Sequence, residues 1–271
     1  MIIANLTGGL GNQMFQYAFG RAIAIKNNTN LKLHFVNALF NTQRPYELNV
    51  FNISADLATK QDLNKYGIVE NKALNRILYL LDERLGIQFN NHIITQKYPY
   101  LWDQKYLSIK NDTYLQGFWF GVKYFKEIED IIRNEFTPKT ELDDKNQKLI
   151  EQMQKKNSVS VHVRRGDLVS SNRNDKFIGL DYYIKVYDSL KKRVQNPTFF
   201  IFSDDIEWCR HNLSKLAQNS IYVDHNKGFN SYKDLLLMAH CKHNVVANSS
   251  FSWWGSWLNI NSNKIVISPF S

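Results

Sequence analysis

Ile2-Ile3-Ala4-Asn5-Leu6 passes directly into Thr7-Gly8-Gly9-Leu10-Gly11-Asn12-Gln13 and then into a helical stretch over residues 14–27. A β-branched run, a glycine-rich turn and a helix in that order open a βα unit, and the β-branched run at 31–35 supplies the next strand. The pattern returns later, with apolar runs at 158–163, 198–202, 221–223, 244–247 and 265–267 and a helical stretch at 182–193. Such alternation predicts α/β layers built on parallel sheets. The middle of the chain reads differently. Residues 57–125 look mostly helical and loop-like, with an amphipathic helix over 71–85 and an aromatic-rich segment over 98–119. The charged run at 139–156, entered through Pro138, suits a connecting helix or linker before a fresh strand at Ser158. Two domains are therefore expected, 1–156 and 157–271.

The 271 residues suffice for one large or two modest domains, and 44% hydrophobic with 14% aromatic content excludes a disordered or low-complexity chain. Lys+Arg 34 against Asp+Glu 25 leaves a net charge of +9, which favours anions: nucleic acid, lipid headgroups or a phosphorylated substrate. Cys209 and Cys241 match no paired metal-ligand spacing and make no disulfide framework, so a reducing compartment is the simplest reading. The first residues lack the basic and long apolar regions of a signal peptide, and no run of about 18 apolar residues occurs. A cytoplasmic chain without a membrane span is expected.

Four segments carry candidate chemistry. Gly8, Gly9 and Gly11, followed by Asn12 and Gln13, let backbone approach a ligand and present N–H groups at a helix start, as phosphate sites do; the bland reading is a tight turn. A glycine three residues after Gly11 is missing, so this is not a dinucleotide fingerprint, and it lacks the Lys-Ser/Thr of a P-loop. The second segment, Val161-His162-Val163-Arg164-Arg165-Gly166-Asp167, ends an apolar strand; His162 and Arg164 share one strand face, and an arginine at a strand's carboxyl end can grip phosphate oxygens. Arg165 with Asp167 could instead be a surface ion pair. In the third, Ser203-Asp204-Asp205 follows Phe199-Phe200-Ile201-Phe202, and the carboxylates could hold a metal, position a sugar hydroxyl or cap the helix starting at Ile206. The absence of an Asp-x-Asp pair weighs against a metal. The fourth joins Asp234 and its helix to Asn248-Ser249-Ser250-Phe251-Ser252-Trp253-Trp254-Gly255, a hydroxyl-rich turn opening a helix. Its Trp pair reads as core before stacking platform, and His240 and His243 lack the spacing of a metal pair.

Taken together, Gly8-Gly9-Leu10-Gly11-Asn12-Gln13-Met14-Phe15-Gln16-Tyr17-Ala18, Tyr114-Leu115-Gln116-Gly117-Phe118-Trp119, the His162–Asp167 segment, Phe202-Ser203-Asp204-Asp205 and the Asn248–Gly255 segment are collinear across nearly the whole chain. The set resembles the bacterial α-1,2-fucosyltransferases of glycosyltransferase family 11. That resemblance implies a GT-B-like fold of two Rossmann-like domains facing a central cleft. It implies GDP-β-L-fucose as donor, transfer to the 2-hydroxyl of a β-galactoside with inversion, and no obligatory metal or other cofactor. It also carries roles onto residues: His162, Arg164 and Arg165 at the donor, with Arg164 on the GDP phosphates, and Asp234 on the guanine. Ser249, Ser250 and Ser252 would line the β-phosphate, with Ser203, Asp204, Asn248 and Phe251 nearby. Asp167 is the first candidate for the base, with orientation of the arginines as its other role. Asn12, Gln13 and residues 116–119 stand as acceptor or cleft contacts, against plain packing. Such proteins continue past the strand at 265–267 into a longer tail, whereas this sequence stops at Ser271. Peripheral membrane contact fits the basic charge and a lipid-linked acceptor. A fucosyltransferase of O- or α-1,6-linkage is the near rival; a basic nucleic-acid-binding protein is the remote one, since the basic residues form no single stripe.

Overall fold

The structure is a computed structural model that describes residues 1–35, 45–68, 91–165, 178–214 and 219–269. It divides into two compact units, Met1–Lys139 and Thr140–Ser271. The first contains β1 (Ile2–Leu6), α1 (Leu10–Lys26), β2 (Leu31–Phe35), β3 (Asp56–Leu57), α2 (Lys60–Asn64), β4 (Ile93–Thr95), β5 (Thr113–Gln116) and α3 (Glu129–Glu135). Its strands pair in parallel in the order β3-β2-β1-β5-β4. Every residue of β1 is buried because β1 has neighbours on both sides, Ile2 lying opposite Leu31 on β2 and Thr113 on β5. The α1 helix is likewise buried over most of its surface, through Met14, Phe15, Tyr17, Ala18 and Phe19. Its partner α3 is tied on by Glu135, which accepts from Tyr17 Oη at 2.6 Å and pairs with Arg21 Nε at 3.0 Å.

The chain winds from β1 outward to β2 and β3, then returns on the other side with β5 and β4, so strand order reverses between β1 and β5. Gln16 spans that reversal. Its Oε1 accepts from Thr7 N at 2.9 Å, and its Nε2 donates to Thr7 Oγ1 and to Gly117 O, both at 3.0 Å. The described residues of 57–125 are mostly helix and loop, and they also hold two short strands that the sequence did not show, β4 and β5, of which β5 pairs directly with the central strand. Three of the four β5 residues are buried, so no apolar–polar alternation marks the strand in the sequence. The expected helix at 71–85 lies outside the described residues.

The second unit contains α4 (Asp144–Lys155), β6 (Asn157–Val163), α5 (Leu180–Arg193), β7 (Pro197–Ser203), α6 (Ile206–Leu213), β8 (Ser220–Val223), α7 (Tyr232–His240), β9 (His243–Val245), α8 (Ser250–Leu258) and β10 (Val266–Ile267). Its sheet is parallel in the order β10-β9-β6-β7-β8, reversing between β6 and β9. One face of β6 presents Val159, Val161 and Val163 to Tyr183, Val186, Tyr187 and Leu190 of α5. The alternate positions are polar yet buried. Ser158 Oγ donates to Met153 O of α4, and Ser160 Oγ accepts from Asn244 Nδ2, which also reaches Met238 O of α7.

The unit division falls before α4 rather than at residue 157. Ile150 and Met153 of α4 share a core with Phe200, Phe202, Leu237 and Met238, so of the two readings of the charged run, helix or linker, the helix holds, and it is one layer of the second unit. Its charged residues face water while an apolar stripe packs inward. The α7–α8 contact is close at Gly255, where a Cβ would stand 2.9 Å from Met238 Cβ and 3.4 Å from Leu235 O.

Gln16→Leu retains bulk but leaves Thr7 N and Gly117 O without their buried partner. The expected loss is about 2–4 kcal/mol of stability, read as a lowered urea midpoint followed by circular dichroism.

Candidate functional site

In open parallel α/β sheets, ligands bind beyond the carboxyl ends of the strands, where strand order reverses and the connecting loops part. In the second unit that place is bounded by the ends of β6 and β9. Arg164 and Arg165 follow β6, while Asn248 and Ser249 lead from the end of β9 into α8. Asn248 is exposed and Ser249, Ser250 and Phe251 are partly so. The first turn of α8 has no side-chain cap, and its backbone dipole offers partial positive charge to an anion. His162 joins the two sides, its ring 5.8 Å from that of Phe251.

His162 is buried, and its Nδ1 has no hydrogen-bond partner among the described residues. Burial, aided by the adjacent Arg164 charge, pushes its pKa down to about 3, so the ring is neutral at physiological pH. Tyr183 Oη donates to the His162 carbonyl at 3.3 Å and fixes the strand there from the α5 side.

The arginine pair is braced from β7. Asp204 accepts from Arg165 N at 2.8 Å, and its other oxygen lies 3.4 Å from Arg164 Nε. Asp205 lies 3.3 Å from Arg165 Nε and caps α6 by accepting from Trp208 N at 3.2 Å. Ser203 Oγ accepts from Asp205 N at 2.9 Å, tightening the same turn. The Arg165 guanidinium stacks 4.0 Å over the Trp208 ring. Arg165 therefore packs into the wall with Trp208 and Asp205, whereas the Arg164 side chain remains about one-quarter exposed at the strand end. The capping role foreseen for one carboxylate falls to Asp205. Asp167 and Gly166 lie outside the described residues.

Ser252 is corrected. Its hydroxyl is buried, accepting from Ala247 N at 3.2 Å and donating to Ser249 O at 3.3 Å, so it closes the turn rather than lining a ligand. Trp254 is core and Trp253 stacks on Trp257, as the packing reading had it. Asp234 sits in the first turn of α7, beyond the carboxyl end of β8. Asn226 Nδ2 donates to it at 2.8 Å, within an amide group that includes Asn146. Burial raises Asp234 to about 7, with the nearby Asp224 charge adding and the Asn226 bond opposing.

In the first unit the glycine segment forms a tight turn. Gly8 has φ +76°, and a Cβ there would stand 2.6 Å from Asn12 Nδ2. Gln13 is corrected: its Nε2 donates to Gly8 O and Pro45 O, both at 2.9 Å, and its Oε1 accepts from Glu47 N at 2.9 Å. It is a fully buried clamp and not a cleft contact. Gly9, Gly11 and Asn12 stay at the helix start, with Asn12 N donating to Gly9 O. Gln16, which the glycine segment includes without a role of its own, carries no local signal beyond being a polar residue amid an apolar helix. Among the described residues, no three His, Cys, Asp or Glu side chains group as a metal site, and no helix is long and apolar enough to cross a membrane.

Two parallel-sheet α/β units, each with a strand-order reversal, define a GT-B-like fold. The solved structure of NodZ α-1,6-fucosyltransferase soaked with GDP-fucose matches over 95% of this chain and 91% of its own, with TM-score 0.55 at 12% identity. The family model described as Glycosyl transferase family 11 matches residues 1–271, and the chain belongs to that family. It is 36% identical to an α-1,2-colitosyltransferase of Escherichia coli, over 99% of this chain and 91% of that protein. It is 32% identical to the O-antigen biosynthesis glycosyltransferase WbnK of Escherichia coli, over 97% and 92%. Galactoside α-(1,2)-fucosyltransferase 1 of Ateles belzebuth is 27% identical over 53% of this chain and 42% of its own. The chain is thus a glycosyltransferase.

Asp234 gives the stability a pH signature. Its folded pKa lies above the unfolded value, so it contributes stability while protonated, and that contribution is lost as pH rises from about 4 through about 7. Asp234→Asn removes the loss, so the variant's melting temperature relative to the parent is expected to be higher at pH 8 than at pH 5, by differential scanning fluorimetry.

Proposed function

We propose that this enzyme transfers L-fucose from GDP-β-L-fucose to the 2-hydroxyl of a terminal β-galactoside, with inversion, in building a bacterial surface polysaccharide. The observation that supports this most is the placing of Arg164 and the start of α8 at one strand-order reversal, where a nucleotide diphosphate would meet both a guanidinium and a helix N-terminus. The α-1,2 linkage is carried by the names of two relatives on either side of the donor question. Colitose is fucose without its 3-hydroxyl, so GDP-colitose is the second reading, favoured by the relative at 36% identity.

In this mechanism the bond between fucose C1 and the β-phosphate oxygen breaks while the acceptor O2 bonds to C1 from the opposite face. The hydroxyl proton passes to a base, and GDP leaves with the bonding pair. Negative charge grows on the β-phosphate as the sugar becomes oxocarbenium-like, so a positioned cation stabilises the transition state more than the ground state. Arg164 supplies that charge, held at its angle by Asp204, and Ser249 and Ser250 add backbone and hydroxyl donors. His162, neutral and buried, shapes the pocket floor and turns Nδ1, which has no partner among the described residues, to the donor. Because Asp204 and Asp205 already orient the arginines, Asp167 takes the role of base. Asp234 binds the guanine edge in this reading, and no metal is required.

The deciding assay is GDP release from GDP-fucose with lactose in EDTA, beside the same assay with GDP-colitose, followed by linkage analysis. The expected product is Fucα1-2Gal; a faster reaction with GDP-colitose would replace the donor, and another linkage would overturn the reading. Arg164→Ala is expected to lower kcat about 10²–10³-fold at saturating donor. Asp167→Asn should abolish the acidic limb of the pH–rate profile.

A further inference from the structure

Apart from Leu57 and Ile131, the exposed large apolar side chains described in the first unit gather in one segment. Tyr98, Tyr100 and Leu101 are 57%, 83% and 62% exposed, all within the segment that leaves the carboxyl end of β4. A run this open in a folded unit marks a contact surface. The segment is rigidly supported. Tyr100 stacks on Phe120 with centroids 5.4 Å apart, Phe120 on Phe118 at 5.2 Å, and Phe15 of α1 meets Phe120 edge-on. Trp102 packs against Tyr124, whose hydroxyl donates to Leu101 O and accepts from Asp103 N, both at 3.2 Å.

Cations surround this tip. Lys97 Nζ lies 5.5 Å from the Tyr98 ring and Lys123 Nζ 5.8 Å from the Trp102 ring. Lys105 is paired with Asp103 at 2.8 Å, the one carboxylate of the segment. Three lysines against one carboxylate leave the rim positive around an apolar tip. Tyr and Trp beside lysine is the composition that settles at a membrane–water interface, rings at headgroup depth and ammonium groups on the phosphates.

We propose that Tyr98, Tyr100, Leu101 and Trp102 form a membrane-docking loop that inserts Tyr100 and Leu101 into the interface of an anionic bilayer, with Lys97 and Lys123 on the lipid phosphates. Leu101 has no use in stacking on a sugar, and the lysines already occupy ring faces of Tyr98 and Trp102, which favours lipid over a soluble glycan as occupant. The loop places the enzyme on a lipid surface whichever sugar it transfers, so the inference does not rest on the donor or linkage.

The test is flotation of the full chain with phosphatidylcholine vesicles, with and without 30% phosphatidylglycerol (roughly the anionic content that draws basic segments), alongside KM for lactose. The parent should float with the anionic vesicles and keep part of that binding in high salt, since insertion is not screened. Tyr100→Ser with Leu101→Ser, both largely exposed, should lower the partition coefficient about tenfold or more at every salt concentration while the melting temperature shows that the unit stays folded. Lys97→Gln and Lys123→Gln should each lower it about fivefold at low salt only. A parent that stays unbound, or a double variant that floats like the parent, overturns the proposal. Unchanged flotation with a raised KM for lactose overturns it too, and makes the tip a sugar platform. Loss of turnover with lactose in the parent bears on the proposed function alone, because flotation needs no reaction.

Discussion

The reversal of strand order beside a fully buried central strand is the constraint on which both units depend. A parallel strand such as β6 must be reached through crossovers, so its two neighbours are built by chain running in opposite directions across the sheet. At the carboxyl end the connecting loops therefore part, and the ends of β6 and β7 and the β9–α8 turn lie side by side. Neither Arg164 nor Ser249 needs to be near the other in sequence. Their approach is a property of the winding.

The two units use this geometry differently. In the second, polar side chains at the reversal are held by neighbours but still reach the surface: Arg164 through Asp204, and Ser249 and Ser250 at an uncapped helix start. In the first, Gln16 fills the reversal with three hydrogen bonds, and Gln13 clamps the glycine turn to the backbone of Pro45 and Glu47. A buried amide that satisfies every donor and acceptor rigidifies its surroundings, because leaving any one unmade is costly. The glycine segment thus fixes a loop conformation, and Gly8 at positive φ makes the turn possible.

Electrostatics follow burial. His162 stays neutral because desolvation and the adjacent arginine's positive charge both disfavour the protonated ring. Asp234 holds its proton to about pH 7 for the same reason of desolvation, despite a hydrogen bond from Asn226. The arginines keep company with adjacent carboxylates on the next strand, an arrangement that sets direction rather than large stability, since partly exposed ion pairs are worth little.

The alternating apolar runs determined by themselves that the chain forms parallel α/β units, and the collinear motifs around Gly8, His162, Ser203 and Asn248 determined the family, because strand–turn–helix junctions leave local signatures. Tertiary structure alone decided what depends on distant partners. The strand Thr113–Gln116 is buried on both faces and shows no period, so its place beside β1 was invisible. The charged run at 139–156 left a connecting helix and a linker both open; it holds the helix Asp144–Lys155, whose few inward side chains assign it to the second core. Gln13 and Ser252 looked like ligand contacts because polar residues beside glycines or at helix starts often are. Their hydrogen bonds to backbone fixed them as structure, while the partner of Arg164 came from a strand forty residues away, which only sheet register could bring to 3.4 Å.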